Sequence, residues 1–237
     1  MHIPEGYLSP STCLTMGGVM LPLMYRAARI IKRTKDAAHI PFLAMGAVFS
    51  FLVMMFNIPI PDGTTAHAAG AVLIALALGP WAALVSVSVS IFIQALLFGD
   101  GGALSLGANA FNMAFLMPFA GYYTYKLIAK KAANGSKRQL LAAFLAGYVG
   151  INAAALSTAV MFGLQPLLFS APDGTPLYCP YGLSIAVPAM LIPHLLIVGP
   201  LEGIVTALAL KYLPVFSSDL VHASAAPTAS IKEEYHA

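Results

Sequence analysis

Charge is what this chain lacks most. Lys, Arg, Asp and Glu make up 9% of its 237 residues, against about 25% in an ordinary globular domain. A soluble fold of this length could not cover its surface with so few charged side chains. The apolar share is 59% and the mean hydropathy is +0.82. Lipid is therefore the natural solvent, and intrinsic disorder is excluded by the same composition. Cysteine is scarce too: Cys13 and Cys179 cannot build a disulfide framework, although one pairing between them stays open. No Gly-x-x-x-x-Gly-Lys-Ser/Thr loop, His-Glu-x-x-His site, Cys-x-x-Cys pair or His-rich tract occurs. ATP hydrolysis through a phosphate loop is excluded, as is zinc chemistry of the His-Glu-x-x-His kind. The spans also lack the several ionisable residues of a proton-driven pump. The chain is expected not to be an enzyme.

What the chain has is long apolar runs. Seven are read as membrane helices: residues 11–31, 40–56, 65–78, 81–98, 104–129, 139–164 and 183–213. The third is short and stops at Gly79-Pro80, so it tilts little or is a partial span packed inside protein. The fold class is all-α, a single seven-helix membrane domain over residues 1–213. An N-terminal segment of residues 1–10 precedes the helices, and a polar, Ala/Ser-rich tail of residues 214–237 follows them.

Lysine and arginine give the orientation. Arg26, Arg29, Lys32, Arg33 and Lys35 follow the first run, Lys126, Lys130, Lys131, Lys137 and Arg138 lie between the fifth and sixth, and Lys211 and Lys232 follow the seventh. Seven crossings place all of them on one side, which the positive-inside rule makes cytoplasmic. Glu5, Asp62, Asp100 and Asp173 fall on the other side. The chain is expected to be a multi-pass protein of a prokaryotic cytoplasmic membrane, N-terminus outside and C-terminus inside. The basic clusters are helix-end anchors rather than nucleic-acid sites. Residues 1–10 have no basic region and cleavage site of a signal peptide, so the true N-terminus is expected to be kept. Met1 is expected to stay because His2 is too large for efficient methionine removal.

That terminus carries an unusual chelating unit. The α-amine of Met1 and the backbone nitrogen of His2 close a five-membered ring on one ion, and that nitrogen and His2 Nδ1 close a six-membered ring. Peptide planarity puts the three nitrogens near one plane. One further imidazole completes a square-planar N4 set, which suits Ni(II) or Cu(II) rather than tetrahedral Zn(II). The plain alternative is a polar residue on an exposed end. Pro4 and Gly6 argue against a floppy tail. His67, in the turn Pro59-Ile60-Pro61-Asp62-Gly63-Thr64-Thr65-Ala66-His67, lies on the same face. Gly63, Gly70, Ala66, Ala68 and Ala69 leave room there for an inserted segment.

His194 is the competing histidine. It sits mid-span after Pro193, and its plain role is an interhelical hydrogen bond. Glu202 lies eight residues on, roughly 12 Å along a helix axis, so the two do not readily share one ion. Gln94, Asn109 and Asn112 are polar residues within spans. Their plain role is helix-to-helix hydrogen bonding, and support of a site is the sharper one. His39 and His222 belong to the cytoplasmic side and His236 to the tail. Acidic Glu5, Asp62 and Asp100 could concentrate cations without being ligands.

Three stretches carry a family resemblance: Met1-His2-Ile3-Pro4-Glu5-Gly6-Tyr7-Leu8, Gly63-Thr64-Thr65-Ala66-His67, and Phe98-Gly99-Asp100-Gly101-Gly102 followed by Leu106-Gly107-Ala108-Asn109. Together they resemble the CbiM/NikM family, the substrate-binding subunits of energy-coupling factor transporters for cobalt and nickel. The resemblance covers nearly all of the seven-span region. It implies a seven-helix fold into which the N-terminal segment dips. It further implies metal ligation by the Met1 amine, by His2 through backbone and side chain, and by His67. Ile3-Pro4-Glu5-Gly6 with Thr64-Thr65-Ala66-His67 looks closer to the nickel branch. The implied cargo is Ni(II), with Co(II) second and no organic cofactor. The implied partners are a transmembrane coupling protein, two cytoplasmic ATPases and a small accessory membrane subunit on another chain. The rival is a self-sufficient secondary transporter or channel using His194 and Glu202, against which the lack of an inverted repeat weighs. A membrane enzyme is a weaker third reading.

Overall fold

The computed structural model describes residues 1–34, 40–60, 64–130, 132–133 and 135–212. The apolar runs become seven continuous helical rods. They are α1 (Pro10–Thr34), α2 (Ile40–Met54), α3 (Ala71–Leu78), α4 (Pro80–Phe98), α5 (106–129), α6 (Lys137–Leu168) and α7 (Leu183–Tyr212). Six begin within two residues of the expected starts. The third begins six residues late. His39, Asp62, His222 and His236, and the tail, lie outside the described residues.

Local chemistry sets the rod ends. Ser9 caps α1, its hydroxyl accepting from the Thr12 amide at 3.1 Å, and Pro10 takes the first helical position, where no amide hydrogen is needed. Lys32 and Arg33 sit in the last turn of α1, where cations suit the helix dipole. Ser136 caps α6 through the Gln139 amide. Gly79, at φ 91°, breaks the chain between α3 and α4 in a conformation closed to most side chains, and Pro80 opens the next helix.

The all-α reading holds apart from one short ribbon. Ile58–Ile60 (β1) and Thr64–Ala66 (β2) pair antiparallel, Ile58 facing Ala66 and Ile60 facing Thr64. Ile and Thr flanking Pro61-Asp62-Gly63 are hairpin chemistry, which the apolar periodicity of the neighbouring helices hides. This ribbon also explains the late start of α3. Residues 64–66 are spent in β2 and residues 67–70 are irregular. Gly70 adopts φ 64°, and a Cβ there would collide with the Phe49 ring.

α3 is the centre of the bundle, with Ala71 through Leu76 all buried. Small residues let its neighbours close around it. A Cβ on Gly121 of α5 would meet Val72 and the Ala146 carbonyl, and one on Gly150 of α6 would meet Val72 and the Met117 carbonyl. α4 is stitched to α2 by Ser86 and Ser90, whose hydroxyls donate to the Leu43 and Ala47 carbonyls at 2.9 and 2.6 Å. The outer faces are apolar: Leu14, Leu97, Leu127 and Leu196 are among the exposed side chains. Pro80–Phe98, Lys137–Leu168 and Leu183–Tyr212 are long and apolar enough to cross a membrane, and Ile40–Met54 is a shorter apolar helix.

Three rods carry a π-helical stretch, at Gln94–Phe98, Ala110–Leu116 and His194–Val198. Such bulges frequently mark functional sites. Each one here starts at, or next to, a polar residue singled out above: Gln94, Asn109 and His194.

Candidate metal centre

Residues 1–9 precede α1 and turn back into the bundle. Met1 and Ile3 are 0% exposed and His2 is 3% exposed, so His2 is not a polar residue on an exposed end. Irregular backbone at this depth must have its hydrogen bonds supplied by the protein. Asn109 supplies two: its Oδ1 accepts from the Ile3 amide at 2.7 Å, and its Nδ2 donates to the Ile3 carbonyl at 3.3 Å. The Gly102 amide also donates to the Ile3 carbonyl, at 2.9 Å. The Ser9 amide donates to Gln165 Oε1 at 2.9 Å, and the Cys179 amide to the Tyr7 carbonyl at 3.1 Å. A Cβ on Gly102 would strike the Glu5 backbone, so the segment lies hard against the 99–105 loop. Glu5 Oε2 in turn accepts from the Leu104 amide at 3.3 Å.

The His2 ring stacks on His67, with centroids 4.7 Å apart and planes 27° apart. His67 is 1% exposed. The partners fix both tautomers. Gln94 Oε1, 3.2 Å from His2 Nε2, can only accept, so Nε2 carries the hydrogen and Nδ1 is the basic nitrogen. The Ala68 carbonyl, 3.0 Å from His67 Nδ1, can only accept, so His67 Nε2 is the basic one. That Nε2 is buried with no hydrogen-bond partner among the described residues.

Burial pushes the Met1 amine down to about 4, against an opposing pull from Asp100. Burial, then the charge of that amine, pushes His2 down to about 4, with Asp100 and Gln94 opposing. Both groups are therefore neutral bases at pH 7. Asp100 Oδ1 lies 3.4 Å from His2 Nδ1. With the ring neutral this is an approach of two electron-rich atoms rather than an ion pair, and a cation between them would relieve it.

Among the described residues no group of three His, Cys, Asp or Glu side chains could hold a metal. What lies together instead is the stacked pair of imidazoles, with the Met1 amine near both rings. Met1, His2 and His67 are brought together. His194 is 0% exposed, with Nδ1 on the Met190 carbonyl at 2.7 Å and Nε2 lacking a hydrogen-bond partner among the described residues. Glu202 accepts from the Ala69 and Gly70 amides. Asn112 donates to Thr158 at 3.0 Å, a helix-to-helix bond, whereas Gln94 and Asn109 serve the inserted segment. Gln165 went unnoticed in the sequence, where only its place beside Pro166 near a helix end sets it apart. Cys13 and Cys179 are both buried and unpaired with each other.

The sequence and the overall fold both match known metal transport proteins. The CbiM family profile, described as a cobalt uptake substrate-specific transmembrane region, matches residues 2–220. A fused nickel transport protein of Rhodobacter capsulatus is 49% identical over 229 residues, 97% of this chain and 66% of that protein. A probable fused nickel transport protein of Lactiplantibacillus plantarum is 48% identical over 90% of this chain and 64% of its own length. The chain thus spans just under two thirds of these two relatives. A putative metal transport protein of Methanocaldococcus jannaschii is 43% identical over 93% of this chain and 94% of its own. The crystal structure of a transition metal transporter superposes with a TM-score of 0.87 at 53% identity, covering 94% of this chain and 96% of that one. With residues 2–220 matched and the inserted terminus in place, the chain belongs to the CbiM family of cobalt uptake substrate-specific transmembrane regions.

Proposed function

We propose that this chain is the substrate-binding membrane subunit of an ATP-driven importer and captures Ni(II), with Co(II) as a second cargo. The observation that carries the reading is the stacked His2–His67 pair, with both tautomers fixed, beside a buried amine. The donors are the Met1 amine, the His2 backbone nitrogen, His2 Nδ1 and His67 Nε2, in a square-planar set. Ligation through the backbone nitrogen requires the loss of its proton, so capture releases protons. The names of the nickel transport relatives support the choice of cargo.

The wider assembly belongs to the same reading. Seven crossings with the N-terminus outside put every Lys and Arg on the cytoplasmic side. Energy comes from two cytoplasmic ATPases through a transmembrane coupling protein, joined by a small accessory membrane subunit. The rival path through His194 and Glu202 is weakened because Glu202 Oε2 is already engaged by two backbone amides.

Removing the fourth donor tests the site. His67→Ala is expected to cost at least tenfold in Ni(II) affinity, about 1.4 kcal/mol, in a protein that stays monodisperse in detergent. Unchanged affinity would sink the site. Liposomes holding this chain alone test the assembly: metal uptake without ATPases would favour the rival.

A further inference from the structure

A buried carboxylate on a lipid-crossing helix calls for a reason. Glu202 on α7 is 1% exposed. Its Oε2 accepts from the Ala69 amide at 3.0 Å and the Gly70 amide at 3.3 Å. These are the second and third residues after His67, at the N-terminal end of α3. The acid itself is held firmly. Thr206 Oγ1 donates to the Glu202 carbonyl at 2.7 Å, and Gly147 of α6 gives that carbonyl room, since a Cβ there would lie 2.8 Å from it.

The turn carrying His67 is gripped from three directions. Ala66 pairs with Ile58 in the ribbon. Ser50 of α2 donates to the Ala69 carbonyl at 2.8 Å. Glu202 holds the next two amides from the far side. Ribbon and hydroxyl alone leave those amides as buried donors without an acceptor, which costs about 1–3 kcal/mol each. The turn would relax to find acceptors, and the His67 ring would move with it.

We infer that Glu202 is the positioning residue for His67: it fixes the turn by accepting two hydrogen bonds, and its reach rather than its charge is what metal capture uses. The inference rests on the reading of His67 as a ligand. It assigns to the last helix a direct grip on the site without making that helix a donor.

Two conservative variants separate reach from charge. Glu202→Asp keeps the charge and draws the acceptor back by one methylene. Glu202→Gln keeps the reach and an accepting oxygen but loses the charge. Each is purified in detergent, checked for monodispersity and titrated with Ni(II). Glu202→Asp is expected to lose about tenfold in affinity and Glu202→Gln to stay within about threefold. Adding Glu202→Asp to His67→Ala is expected to cost nothing more, because a residue acting through an absent ligand has nothing left to position. The inference is overturned if Glu202→Gln is the weaker binder, if Glu202→Asp binds like wild type, or if its cost persists beside His67→Ala. Should Glu202→Asp not fold, Glu202→Gln still tests the charge, since a loss of affinity in it overturns the inference. If His67→Ala itself leaves affinity unchanged, the metal site fails first, and that outcome is distinct from the three above.

Discussion

The inserted N-terminal segment and the His67 turn reach the same point by opposite means. The segment is a chain end, and amide side chains hold it. Asn109 satisfies both the amide and the carbonyl of Ile3, and Gln165 accepts from the Ser9 amide. Asn and Gln suit this task because one side chain both donates and accepts. The turn is an internal stretch already half satisfied by the ribbon before it. A hydroxyl and a carboxylate finish it, each with a single kind of bond to make. Polar residues in a membrane helix are usually read as glue between helices. Asn112 fits that reading, while Gln94 and Asn109 serve backbone that is not helical at all.

The comparison can be broken most severely at the chain end. A long tag ahead of Met1 turns the amine into an ordinary amide and adds bulk where no surface is exposed. It is expected to abolish Ni(II) binding, while a tag after residue 237 leaves it intact. Full metal loading of a protein whose N-terminal tag is shown to be whole would refute the amine as a donor.

Asn109→Leu comes next. It leaves the Ile3 amide without its side-chain acceptor at about 1–3 kcal/mol, and an expected loss of tenfold or more in Ni(II) affinity follows. The loss should be at least as large as that of Ser50→Ala, which removes only one bond from the turn. A larger effect of Ser50→Ala would reverse the order of dependence described here.

Protons give a subtler test. Model amines titrate near 8 and imidazoles near 6.5, and on those values about two protons would leave as metal binds at pH 7. Burial lowers both the Met1 amine and His2 to about 4, so the folded protein has shed those protons already. Calorimetry in buffers of different ionisation enthalpy is expected to count about one proton at pH 7, that of the His2 amide. A count near two would mean that the terminus is solvated before capture. The linkage has a definite sign. The unfolded chain takes up these protons as pH falls through 8 and 6.5, and the folded chain resists until about 4. Acid therefore destabilises the inserted segment across that window.

The smallest effect is expected at His194. Its Nδ1 is bonded to the Met190 carbonyl, and the proposed donor set is complete without it. His194→Ala should change Ni(II) affinity by less than about threefold. A collapse of binding in that variant, measured against intact His67→Ala, would mean that the wrong imidazole has been named.

Much of this was legible in the residues. Apolar runs located all seven rods, and chelate-ring geometry singled out His2 before any fold was known. The ribbon was hidden because its strands are only three residues each, too short for an alternating pattern to stand out between long apolar runs. The roles of Gln165 and Glu202 were hidden for another reason. Their bonds join positions 156 residues apart for Ser9 and 133 apart for Ala69, and no local pattern marks a pairing over such distances.

Those distances also set an order of events during synthesis. Ile3 finds its seat on a residue 106 positions later in the chain and Ser9 on one 156 positions later. At 5–20 residues per second, the terminus waits on the order of 10 s before Gln165 exists. The seat of residues 3–9 is thus completed late in synthesis, around a segment made early.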